Sequence, residues 1–60
     1  MILLHEETGS AYKLIDNALF SAPLFENGGI DNENWSEVYI EIIATSPIHQ
    51  LIYEKLKNWN

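Results

Sequence analysis

The chain has 60 residues, 47% of them hydrophobic and 20% charged, and its nine acidic and three basic side chains leave a formal net charge of −6. This composition is typical of one small globular domain, residues 1–60, and not of a disordered chain. The acidity argues against direct binding to nucleic-acid phosphates or anionic lipid, and the absence of cysteine excludes disulfides and thiolate metal ligands.

The first third of the chain predicts three short strands joined by tight turns. Residues 2–5 form an apolar run, and residues 6–9 end in Gly9, where a hairpin loop needs a positive φ. Residues 11–15 are the return strand. Asp16 and Asn17 both tolerate left-handed geometry and form a two-residue turn. Residues 18–22 then make a third strand before Pro23.

A helix is the alternative for the same segment. Apolar side chains recur at helical spacing, with Ser10 as a potential N-cap. They are Ala11, Leu14, Ile15, Ala18 and Leu19. Aromatic and turn-forming residues spread through the segment favour strands, but the pattern leaves both structures open for residues 11–20.

A polar loop and a fourth strand follow. Residues 25–34 contain two consecutive glycines and a polar run, which together predict a loop. Residues 37–45 are rich in β-branched and aromatic side chains and predict a strand, although helical spacing matches as well. Alternation would place Val38, Ile40 and Ile42 on one apolar face.

The last segment predicts a helix over residues 47–58. Ser46 is a good N-cap residue, and Pro47 suits the first helical position. An apolar stripe follows at helical spacing, formed by Ile48, Leu51, Ile52, Leu56 and Trp59 together with the stem of Lys55. Packing of this stripe on Val38, Ile40 and Ile42 gives an α+β fold: an antiparallel β-meander of three or four strands with one C-terminal helix on its face.

No motif indicates an active site or a bound cofactor. The two histidines, His5 and His49, lack the local spacing of zinc ligands. The serines have no nucleophile-elbow context, and no lysine follows the glycine-bearing loops as a phosphate site requires. We therefore expect no catalytic residue, no metal and no cofactor.

The densest acidic stretch runs from residue 31 to residue 41 and includes two aromatic side chains. On a strand face, alternate carboxylates recur about every 7 Å, a spacing comparable with that of phosphates along an extended nucleic-acid strand. The predicted partner-binding residues are Asp31, Glu33, Trp35, Glu37, Tyr39 and Glu41. Trp35 is the leading aromatic contact, and Phe25 is the next. The alternative for Trp35 is that it folds back and caps a thin core. A solvated face that keeps the domain soluble is the alternative.

These features favour a non-enzymatic module that binds a larger, basic protein. Compact acidic chains of this size are common among inhibitors carried by phages and other mobile elements, and by analogy with that class we expect an inhibitor that occupies a nucleic-acid-binding surface. The alternative is a structural protein that forms a homo-oligomer, such as a dimer, through a strand edge or an apolar patch, because a core this small supplies only ~3–5 kcal/mol. With neither a signal peptide nor a membrane-spanning run, we expect a cytoplasmic location.

Overall fold

A four-stranded antiparallel sheet, with strand order β1-β2-β3-β4, precedes two helices in the computed structural model, which describes residues 1–59. The elements are β1 Leu3–His5, β2 Ser10–Ile15, β3 Ala18–Pro23, β4 Ser36–Val38, α1 Ile40–Thr45 and α2 Pro47–Lys57. The predicted α+β class, with a β-meander and a C-terminal helix, is confirmed.

Local turn chemistry sets the register of the first three strands. Gly9 has φ +70° at the end of the β1–β2 turn. Asp16 and Asn17 have φ of 50° and 66°, as a two-residue type I′ loop requires, and they close the β2–β3 hairpin directly after Ile15 pairs with Ala18. The strand interpretation of residues 11–20 is therefore confirmed, and the helical alternative is wrong.

The core lies on one face of the sheet, under the helices. Residues that pair across antiparallel strands point to the same face, and Leu14, Leu19 and Val38 form one such row across β2, β3 and β4. The helices cover this row and the neighbouring Tyr12. The buried core cluster consists of Tyr12, Leu19, Val38, Ile43, Ile52 and Leu56.

The strand predicted over residues 37–45 is wrong beyond Val38, because α1 begins at Ile40. Val38 pairs with Leu19, and β3 begins one residue earlier, at Ala18. An antiparallel strand that continued past Tyr39 would meet the β2–β3 turn and would leave its backbone groups unpaired. A helix satisfies those groups internally and buries Ile43.

The predicted C-terminal helix is confirmed, but its apolar stripe is narrower than expected. α2 begins at Pro47, and Asn58 is its C-cap. Ser46 occupies the N-cap position without a side-chain capping bond. Ile52 and Leu56 are buried, whereas Leu51 and Trp59 are exposed.

The expected contact surface of this helix also needs correction. Of the three residues predicted to receive it, Val38 lies in the core. Ile40 and Ile42 belong to α1 and are exposed. Their place against α2 is taken by Ile43, because the helical turn at Ile40 changes which side chains point inward.

Ile52 and Leu51 are neighbours on α2 with opposite environments, at 1% and 54% exposure. We expect Ile52→Ala to lower the free energy of unfolding by about 2–5 kcal/mol, since it deletes buried methyl groups and leaves a cavity. Leu51→Ala is the matched control and should cost less than about 0.5 kcal/mol. Urea unfolding followed by circular dichroism measures the free energy of unfolding of both variants. Equal losses of stability would contradict the placement of Ile52, and not Leu51, in the core.

Candidate functional site

The sheet has a second face, opposite the helices, which we call the outer face. It is defined by two cross-strand rows, Leu4–Ala11–Ala22 across β1, β2 and β3, and Lys13–Phe20–Glu37 across β2, β3 and β4. Ala11 and Ala22 are fully buried, and Glu37 is exposed. This face therefore combines a closed apolar middle with charged side chains towards β4.

Trp35 lies against the outer face and is held on two sides. The Lys13 ammonium nitrogen lies 4.1 Å from the centre of the Trp35 ring, within cation–π range. The indole Nε1 donates a hydrogen bond of 3.1 Å to Asn32 Oδ1. The ring is half-buried, so it presents one part of its surface to solvent in a restricted orientation.

The loop before β4 positions two of the predicted acidic residues. The Asp31 amide donates to the Pro23 carbonyl at 2.9 Å, which ties the loop to β3. Asp31 Oδ2 accepts a hydrogen bond of 2.7 Å from Asn34 Nδ2, so this carboxylate is partly engaged within the loop. Glu33 is exposed.

The six predicted partner-binding residues do not form one strand ladder. Trp35 and Glu37 are associated with the outer face, and Asp31 and Glu33 lie in the loop that leads to them. Tyr39 is the exposed N-cap of α1, and Glu41 lies in the first turn of that helix. The expected regular spacing of carboxylates from residue 37 to residue 41 is wrong, because β4 ends between them.

A cleft of about 430 Å³ lies at the other end of the outer face. Its lining includes the apolar residues Leu4, Leu24 and Phe25 and two acidic residues, Glu6 and Glu26. The sequence marked Phe25 as a contact residue, but its place in one cleft with Leu4 depends on the meander, which brings the β1–β2 turn beside the end of β3.

Both histidines have partners in the fold. His5 Nδ1 lies 3.1 Å from Thr8 Oγ1, and His49 Nδ1 lies 2.7 Å from Ser46 Oγ. Their rings make edge contacts with the buried Tyr12, at centroid distances of 6.4 and 5.8 Å. Within residues 1–59, no group of three or more His, Asp or Glu side chains is placed to hold a metal ion.

No helix in that range is long and apolar enough to cross a membrane.

Comparison of the chain with family models, curated proteins and solved structures finds no match.

Replacement of Lys13 tests its cation–π contact with Trp35. With Trp59 changed to Phe, we expect Lys13→Gln to increase acrylamide quenching of Trp35 fluorescence, because the ammonium no longer covers the ring, at a stability cost of about 0.5–1 kcal/mol. Lys57→Gln is the matched control, since its ammonium lies 5.9 Å from the Tyr53 ring. Unchanged acrylamide quenching of Trp35 in Lys13→Gln would contradict this contact.

Proposed function

We propose that this chain is a non-enzymatic acidic binding module that docks on a basic surface of a larger protein. The observation that supports this most directly is the arrangement around β4, where exposed carboxylates flank a tryptophan that is held in place. Glu37 projects from the outer face, and Glu33 is exposed in the loop before it.

The charge distribution supports attraction to a basic partner. Every charged side chain between Lys13 and Lys55 is acidic, with histidine neutral. The Lys13 ammonium stacks on Trp35, and the two remaining lysines lie in the last turn of α2. The charged side chains that the loop, β4 and α1 themselves contribute are therefore all acidic, and the one ammonium beside them is that of Lys13. This excess of negative charge steers association with a positive surface and opposes association with nucleic acid.

Trp35 adds contact area to this charge. Tryptophan is enriched among the residues that contribute most to protein interfaces, because it is large and has few rotatable bonds. The cation–π contact with Lys13 and the hydrogen bond that the indole donates to Asn32 restrict the ring before any partner arrives, so less conformational entropy is lost on binding.

The partner class that fits these features is a protein whose basic surface binds nucleic acid. Such surfaces bind phosphates through the side chains of lysine and arginine, and carboxylates can pair with the same ammonium and guanidinium groups. By doing so the module would act as an inhibitor, since the partner could not bind nucleic acid and the module together.

Charge reversal of Glu37 tests the proposal, with Glu54→Lys as a matched control. Both residues are exposed glutamates, and each change alters the net charge by the same amount, but Glu54 lies on α2. Immobilised wild type and Glu54→Lys should retain the same nucleic-acid-binding proteins from a cell lysate, and Glu37→Lys should lose them.

The retained proteins are then purified and measured one at a time. Their affinity for the module should fall as salt rises, and a DNA or RNA duplex should compete with it. Equal retention by all three variants, salt-insensitive binding, or simultaneous binding of module and nucleic acid would each refute the proposal.

Self-association is the second candidate, and the β1 edge favours it. Among residues 1–59, β1 pairs with β2 alone, and Ile2 and Leu4 are exposed beside its unpaired edge. An exposed apolar edge strand can pair with a second copy. If the chain self-associates through this edge, a dimer sediments at micromolar concentration and Leu4→Lys dissociates it. A single-chain sedimentation coefficient at every concentration would exclude this candidate.

A further inference from the structure

The cleft at the end of the outer face carries an exposed apolar pair that the fold does not use for its core. Leu4 and Phe25 line it and are 56% and 54% exposed. Neither belongs to the buried cluster beneath the helices or to the side chains packed against that cluster. The volume of about 430 Å³ lies within the range of protein ligand sites, about 300–1,000 Å³.

Backbone hydrogen bonds hold the walls of this cleft in position. The Leu24 amide donates to the Gly9 carbonyl at 2.9 Å, which joins the end of β3 to the β1–β2 turn. The Phe25 amide donates to the Gly29 carbonyl at 2.7 Å, and the Gly28 amide donates to the Phe25 carbonyl at 2.9 Å. Phe25 is therefore presented on a closed loop.

The negative charge of the lining favours a basic segment as the ligand of the cleft. Glu6 and Glu26 line the cleft and are exposed, and no basic side chain of residues 1–59 lines it. An apolar side chain that enters the cleft would bring its neighbours beside these carboxylates. Lysine or arginine neighbours are favoured there, and acidic neighbours are repelled.

We propose that this cleft binds a large apolar side chain flanked by lysine or arginine on the partner protein. The inference rests on the proposed function and adds a second contact to it. The cleft and Glu37 lie on the same face, and β1 and β4 are three strand spacings apart, roughly 14 Å. One basic surface can therefore contact both, with the cleft supplying an apolar anchor and β4 supplying charge.

A synthetic peptide, Lys-Phe-Lys-Leu-Lys, tests the cleft without a partner protein. We expect its addition to the full chain to shift the amide NMR signals of Gly9 and Gly28. Phe25→Ala should lower the affinity for the peptide by about fivefold or more, as loss of an interface anchor does. Ile40→Ala is the matched control, because Ile40 is an exposed apolar residue on α1, and it should leave the affinity unchanged.

Four results would overturn the cleft proposal. They are equal binding of a Lys-Ser-Lys-Ser-Lys peptide, shifts confined to β4, unchanged affinity in a folded Phe25→Ala protein, and a wild-type dimer that Phe25→Ala makes monomeric. Thermal unfolding checks that Phe25→Ala is folded. If the peptide does not bind while Glu37→Lys still fails to retain the captured proteins, the proposed function stands without the cleft. If the peptide binds as expected while Glu37→Lys changes nothing, the cleft stands and the acidic docking function falls.

Discussion

Contact between one face of the sheet and the two helices holds this small chain together. Tyr12, Leu19 and Val38 supply the sheet side, and Ile43, Ile52 and Leu56 supply the helix side. A 60-residue chain has enough apolar surface for about one such layer contact. Because the helices are committed to this face, the opposite face of the sheet must be closed by the strands themselves and by the loop before β4.

The outer face is closed in the middle and open at both ends. Small side chains at Ala11 and Ala22 are fully buried there, and Trp35 lies under the Lys13 ammonium on the β4 side. Exposed carboxylates remain at one end, and the cleft remains at the other. The surface proposed for partner binding therefore follows from the one-sided core, because Leu4, Trp35 and Glu37 lie on the face that the helices leave uncovered.

Structure set by neighbouring residues could be predicted from the sequence. Gly9 and the pair Asp16 and Asn17 mark turns through their own backbone preferences, and Pro47 marks the start of α2. Residues 40–45 could not be assigned in this way, since their side chains suit both strand and helix. The position at which β3 begins decides the outcome, because it limits how far β4 finds a pairing partner.

The sequence by itself determined the acidity, the class of fold and the identity of the densest acidic stretch, since these depend on composition and on local pattern. Tertiary structure alone decided which of those residues share a surface. It brings Lys13 onto Trp35 and places Glu37 on the same face as Lys13, whereas Tyr39 and Glu41 belong to the start of α1, because the strand ends before them. It also joins Leu4 to Phe25 in one cleft, through a meander whose strand pairing brings together residues far apart in the chain.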